Sequence, residues 1–233
     1  MTAPAQPAFR FLVPVAALFT GALIVSNIIA IKIADFSRVA PTDDFYLPAA
    51  VIIFPISYIL GDILTEVYGY RVARRIIWSA FFANAMAVGA IVAAEQLPSA
   101  PFWSDQAAYE AILGQTWRIV GASFAAFLVG EFANAAVLSR MKVATSGRFL
   151  WARTIGSTIV GQGLDSAIFI TIAFAGTEGI ALWPLIWKQW LFKVTFETVA
   201  TPVTYVVVTA LKRLEGVDTF DRDVDLNPVP LPR

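Results

Sequence analysis

Apolar residues along this chain gather into long runs separated by short charged or proline-containing stretches, and the runs have the length of membrane spans. A hydrocarbon core about 30 Å thick needs about 20 mostly apolar helical residues to cross it. Six stretches meet that length: Phe11–Ile33, Leu47–Val67, Arg75–Ala94, Trp117–Ser139, Thr154–Gly176 and Trp187–Leu211. The pattern predicts a single six-helix transmembrane domain over 11–213, an N-terminus over 1–10, and an acidic, proline-rich tail over 214–233 that is expected to be mobile. The first run is too long for the core of a secretory signal and is read as a retained span. The link from Glu95 to Thr116, with Pro98, Pro101, Trp103 and Tyr109, reads as an interfacial loop with aromatic anchors, and Trp183, Trp187 and Trp190 read as anchors too.

Polar residues interrupt these runs at helical spacing. In the second span Tyr58, Asp62 and Glu66 follow at i, i+4 and i+8 beside Thr65, which predicts one shared face. Ser26 and Asn27 interrupt the first span, which ends near Lys32; Glu131 and Asn134 mark the fourth; Gln162, Asp165 and Ser166 mark the fifth; Gln189, Lys193 and Glu197 mark the sixth. Four spans thus present a polar stripe with an acid, and in a bundle such stripes can converge on one cavity. Gly156, Gly161, Gly163 and Ser157 are expected to allow close helix packing. Asn84 is read as an interhelical hydrogen bond, and Pro55 and Pro202 as tolerated kinks.

Composition agrees with the pattern: 58% of the 233 residues are hydrophobic and 15% charged, with a mean hydropathy of +0.70. Zero net charge argues against a nucleic-acid surface. The absence of cysteine and histidine removes disulfides, Cys/His metal and haem ligation, and Ser-His or Cys-His catalysis. No cofactor is expected, and no phosphate-binding glycine motif supplies a nucleotide motor. Asp221, Asp223 and Asp225 have the spacing of a calcium loop's opening, but Leu226 replaces its turn glycine and Pro232 its closing glutamate, so no metal site is assigned.

Charge sets a topology. Arg10, then Arg71, Arg74 and Arg75, then Arg140, Lys142, Arg148 and Arg153, then Lys212 and Arg213 fall on one side if the spans alternate. Asp35, Asp43, Asp44, Glu95, Asp105, Glu110 and Glu178 dominate the other side, with Arg38, Arg118 and Lys188. Both termini are therefore expected in the cytoplasm.

Burial of charge separates a site from helix glue. Asp62, Glu66, Glu131, Asp165, Lys193 and Glu197, at about 3 kcal/mol each if left facing lipid, would cost more than a domain's typical stability. They must be partnered or hydrated. Lys193 with Glu197 at i, i+4 is one candidate pair. Five acids against one buried lysine still leave a surplus that must be protonated, reach the boundary arginines, or meet a ligand rich in donors.

The strings Ser26-Asn27-Ile-Ile-Ala-Ile-Lys32, Gly61-Asp62-Ile-Leu64-Thr65-Glu66-Val67-Tyr68-Gly69-Tyr70, Glu131-x-x-Asn134, Gly161-Gln162-x-x-Asp165-Ser166 and Lys193-x-x-x-Glu197 resemble the queuosine precursor transporter family, within the vitamin uptake transporters. The resemblance covers about residues 11–213. It implies an all-α, six-helix importer in the bacterial inner membrane, similar in fold to the substrate-binding subunits of energy-coupling-factor vitamin transporters. Its substrates would be 7-deazaguanine bases, 7-cyano-7-deazaguanine and also 7-aminomethyl-7-deazaguanine, salvaged for tRNA queuosine.

A deazaguanine offers adjacent N1–H and amino donors that one carboxylate can accept, and an O6 that an Asn, Gln or Lys can satisfy. The candidate binding residues are accordingly Asn27, Tyr58, Glu66, Glu131, Asn134, Gln162 and Asp165: Glu66, Glu131 or Asp165 on the donor edge, with Asp165 and Glu66 ranked ahead; Asn27, Asn134 or Gln162 on O6; and Tyr58, Phe127 or Phe169 against the ring. Lys32, Asp62, Lys193, Glu197, Arg71 and Arg74 are candidate gating or structural groups. Transport would be secondary or facilitated, and the glycine-lined faces could also pair two copies. The alternatives are a transporter of another vitamin-like or nucleobase substrate and, more remotely, an intramembrane aspartic-type enzyme using Asp62 with a second acid. A cation channel is disfavoured by the lack of a filter-like loop.

Overall fold

Helix dominates because the apolar runs can satisfy their backbone only internally. The computed structural model describes residues 9–36, 46–114, 117–176 and 181–229. Arg38, Asp43, Asp44, Thr116, Glu178, Pro230 and Pro232 lie outside the described residues. Helix α1 covers Leu12–Ile29 and is followed by a two-stranded antiparallel ribbon, β1 Ile33–Asp35 with β2 Tyr46–Pro48. A 3-10 turn Ala49–Ile52 leads into α2 Phe54–Ile63, whose last turn widens into a π-helical segment, Leu64–Tyr68. The remaining helices are α3 Tyr70–Glu95, α4 Gln106–Leu113 within the predicted interfacial link, α5 Trp117–Ala144, α6 Leu150–Phe174 and α7 Leu182–Glu215.

Among the described residues five helices are long and apolar enough to cross a membrane: those at 12–29, 70–95, 150–174 and 182–215, and α5 within 106–144. The second predicted span is different. Its helical part, residues 54–68, rises only about 22 Å at 1.5 Å per residue, and Pro55 sits in its first turn, where a missing N–H costs nothing, rather than at a kink. This short segment is the centre of the bundle: Gly61–Tyr70 are all buried, and α2 packs against α1, α5 and α7. The outer helices instead expose Val13, Leu18, Phe82, Met86, Val199 and Val206, as lipid-facing surfaces do. Pro202 lies inside α7, as expected.

Helices α5 and α6 form the closest pair. A Cβ built on Gly161 would stand 2.6 Å from Asn134 Cβ and 2.9 Å from Gly130 O, and one on Gly130 would stand 2.8 Å from Asp165 Cβ. Both obstacles are helix backbone or its first carbon, so neither can swing aside. Gly161→Ala is expected to overpack the crossing and cost about 1–3 kcal/mol, read as a lower melting temperature in detergent.

The tail is not free, contrary to the sequence expectation. Gly216, in the left-handed region at φ +66°, ends α7 and turns the chain back across the bundle. Asp218 meets Lys142 at 2.6 Å and Lys212 at 2.8 Å, and Lys142 also donates to Thr219 O at 2.7 Å. Asp221 accepts from the Tyr70 backbone N–H and from Ser139 Oγ, both at 2.8 Å, so it caps the otherwise uncapped start of α3. Tyr70 Oη donates to Leu226 O, Arg74 to Asn227 O and Trp78 Nε1 to Pro228 O. Gly69, at φ +85°, lets the tail approach: a Cβ there would come within 2.7 Å of Thr219. The start of α1 is tied to the same end, because Glu215 accepts from the Arg10 and Phe11 N–H groups and from Tyr68 Oη. Asp218 on two helix-end lysines, Asp221 on the start of α3, and tail carbonyls bonded to α3 side chains explain why a segment without apolar periodicity is held.

Partial burial works against it, but hydrogen bonds from Lys142 and Lys212 hold the Asp218 carboxyl below its ordinary range. The depressed value means that its contribution is complete above an aspartate's usual pKa of about 4 and is lost as pH falls through the folded value. Asp218→Asn is expected to raise proteolytic cleavage after Gly216 several-fold at neutral pH, and acidification of the unaltered protein should do the same.

Candidate functional site

Three groups of buried polar side chains occupy successive levels of the bundle. At the end that carries the basic residues, Glu66 is fully buried and surrounded by cations. Arg153 donates to Oε1 at 2.8 Å and to Oε2 at 3.3 Å, and Lys212 donates to Oε1 at 2.7 Å. Lys142 stands 3.5 Å from Oε1 and donates to the Glu66 carbonyl at 2.6 Å. Arg153 and Lys142 are themselves 1% and 2% exposed, so this is a desolvated network joining α2, α5, α6, α7 and the tail.

Deeper in the bundle is an enclosed cavity lined by Leu23, Phe54, Ser57, Tyr58, Phe127, Gly130, Glu131, Gln162 and Asp165. Its volume is about 10 Å³, room for about one water molecule. Its aromatic wall is Tyr58 edge-on to Phe54, with ring centroids 4.6 Å apart. Lys193 reaches over both rings, 4.9 Å from the Phe54 centroid and 5.6 Å from that of Tyr58, and pairs with Asp165 Oδ2. The predicted Lys193–Glu197 pair is thus replaced by a bond to the neighbouring helix. A lysine placed four residues before its glutamate is the weaker order on a helix, and Asp165 faces it directly. Glu131, 3% exposed, has no ion pair within 4 Å among the described residues. Its Oε2 would be 3.0 Å from a Cβ on Gly61, so glycine at that position leaves room for this carboxylate.

The third group lies beside the cavity. Asn134 donates to Asp62 Oδ1 at 2.7 Å, and Glu197, 2% exposed, approaches from α7. Of the sequence-predicted binding residues, Tyr58, Glu131, Gln162 and Asp165 meet on the cavity; Glu66 sits in the cation network, Asn134 on Asp62, and Asn27 donates to Asn84 Oδ1 at 3.0 Å. Phe127 lines the cavity whereas Phe169 packs against Phe174. Lys32 and Arg71 are exposed, and Arg74 holds the tail. The reading missed Leu23, Phe54, Ser57 and Gly130 as lining residues. Phe54 stands at i−4 of Tyr58, so its helical spacing was a usable signal.

Six buried side-chain atoms among the described residues have no hydrogen-bond partner: Tyr58 Oη, Asp62 Oδ2, Asn134 Oδ1, Gln162 Oε1, Ser166 Oγ and Glu197 Oε1. Four of these can only accept from their usual forms. The interior is therefore short of donors, and each unmet group costs about 1–3 kcal/mol.

Comparison with known proteins fits this arrangement. A family model described as "Putative vitamin uptake transporter" matches residues 48–207. A protein of Bacillus subtilis (strain 168) named "Probable queuosine precursor transporter" is 32% identical over 148 residues, 62% of this chain and 64% of that protein. The chain thus spans just under two thirds of that relative's length. No solved structure matches the chain. The family match runs from the turn ahead of α2 into α7 and takes in every cavity-lining residue but Leu23; the chain is a multi-pass membrane protein that belongs to this vitamin uptake transporter family.

Proposed function

We propose that the protein imports 7-deazaguanine bases, 7-cyano-7-deazaguanine foremost and 7-aminomethyl-7-deazaguanine beside it, across a bacterial inner membrane for tRNA queuosine salvage. The observation that carries this reading is the aromatic-walled cavity on which, among the described residues, Glu131 has no ion pair and Gln162 Oε1 and Tyr58 Oη have no hydrogen-bond partner. A deazaguanine brings donors on one edge and a flat ring, which are the two things such a cavity lacks and can hold. Similarity to a protein named as a queuosine precursor transporter points the same way. In this reading Glu131 accepts the N1–H and amino donors, Lys193 or the Gln162 amide meets O6, and Tyr58, Phe54 and Phe127 enclose the ring. At about 10 Å³ the cavity is far smaller than the usual range of about 300–1,000 Å³ for ligand sites, so side chains must part to admit the base.

The proposed topology has six crossings, with α2 the short central one, both termini in the cytoplasm, and a fold of the energy-coupling-factor binding-subunit type. Transport is secondary or facilitated. A different vitamin-like or nucleobase substrate would have to present the same donor edge. The test is queuosine in tRNA from cells unable to make the precursor and fed it at low concentration: this chain should restore queuosine, and failure despite confirmed membrane expression would overturn the reading.

A further inference from the structure

Two buried acids remain outside both the cation network and the ligand cavity. Glu66 takes Arg153, Lys142 and Lys212, and Asp165 takes Lys193. Asp62, 1% exposed, and Glu197, 2% exposed, have no ion pair within 4 Å among the described residues, and neither lines the cavity. Helix α2, which carries Asp62, packs against α7, which carries Glu197, and against α5, which carries Glu131 and Asn134; Glu197, Glu131 and Glu66 are the charged groups that act on Asp62, and its polar contact is Asn134. Asp62 Oδ2, Glu197 Oε1 and the Asn134 Oδ1 beside them all lack a donor.

Oxygens that only accept, packed without cations, call for a positively charged occupant. A metal ion would need a shell of about six oxygens and room for it; the acids here are confined, one Asp62 oxygen is already bonded, and no group of three or more acids able to hold a metal occurs among the described residues. A proton needs no space. Two buried carboxylates on packed helices can share one, and it converts one orphaned acceptor into the missing donor.

Both acids also sit beside breaks in helix regularity. The π segment begins at Leu64, two residues after Asp62, and Pro202 follows Glu197 by five residues in α7. Such irregularities give a helix two arrangements at low cost and collect at functional positions. They provide a way to turn the pair from one side of the membrane toward the other.

We propose that Asp62 and Glu197 form a proton-carrying site, separate from the ligand cavity, that couples movement of the substrate to inward movement of a proton. One proton from the outer aqueous phase binds the pair, crosses with the loaded cavity and leaves to the inner phase. The inference rests on the import reading, from which its test must be separable.

The purified full chain is reconstituted in proteoliposomes with a trapped pH indicator. Three readouts are taken: exchange of labelled against unlabelled 7-cyano-7-deazaguanine, proton influx on adding that base, and its accumulation under an imposed inward proton gradient. The unaltered protein should show all three. Glu197→Gln and, as a second variant, Asp62→Asn should retain exchange while losing proton influx and about tenfold or more of the gradient-driven accumulation, within the range of coupling energies in proteins. Unaltered protein that exchanges the base without proton influx overturns the coupling site, as does accumulation by the unaltered protein driven equally by a sodium gradient, or coupling intact in both variants. Absence of any exchange by the unaltered protein instead overturns the import reading, and the inference with it. If Asp62→Asn fails to fold, Glu197→Gln and the unaltered protein still decide.

Discussion

Glu131→Gln is expected to weaken binding of 7-cyano-7-deazaguanine about 100-fold while the protein keeps its fold. Glu131 is buried against the cavity and has no ion pair among the described residues, so its neutralisation strands no buried cation. The amide is the same size but presents a donor where the ligand also presents one. Losing charge-assisted hydrogen bonds at about 1.5–3 kcal/mol each corresponds to roughly two orders of magnitude in affinity. Asp165→Asn is a less clean probe, because it leaves Lys193 unpaired in the same wall. Titration calorimetry on purified Glu131→Gln checks the expectation, and unchanged affinity would remove Glu131 from the site.

Glu66→Gln should behave in the opposite way. Its carboxylate is fully buried among Arg153, Lys142 and Lys212, and Asp218 alone would remain to offset three cations. Breaking a buried ion network from one side costs about 3–5 kcal/mol, which for a chain of this size lowers the melting temperature by about 10 °C or more. Expression and melting should fall, while the affinity of the surviving folded fraction stays within a few-fold. A stable Glu66→Gln protein that no longer binds would instead restore Glu66 to the ligand, the role its sequence position suggested.

The contrast between these two acids shows how far the sequence could be read. Helical spacing placed Tyr58, Asp62 and Glu66 on one face, and the structure sets Tyr58 on the cavity and Asp62 on Asn134. Glu66 lies away from the cavity, among the cations, because the π segment starting at Leu64 widens the turn and because four residues carry the side chain about 6 Å along the axis. The Lys193–Asp165 pair was illegible for a related reason: spacing within α7 offers only Glu197, while the partner belongs to α6. Gly161 and Asn84 were read correctly, as close packing and an interhelical bond, since both roles follow from residue type in an apolar helix. The tail was misjudged because its partners, Lys142 for Asp218, the Tyr70 N–H and Ser139 for Asp221, and Arg74 for the Asn227 carbonyl, are distant in sequence, which no local pattern records.

Helix length also carried less than it promised. Residues 47–67 are apolar enough to be read as a full span, yet the chain spends part of them on a strand and a 3-10 turn before α2 begins. Wrapped on several sides by other helices, α2 can be short, and can carry Asp62 and Glu66, because protein rather than lipid is its solvent.

The central claim is that an acceptor-rich, aromatic-walled cavity holds the donor edge of a deazaguanine. The most direct test is equilibrium binding to the purified protein of 7-cyano-7-deazaguanine and of the analogue lacking its 2-amino group. The account predicts that the parent base binds and that the analogue binds about 100-fold more weakly, since a buried acceptor is then left unpaired. Equal affinity for the two, or no binding of the parent base by folded protein, would contradict it.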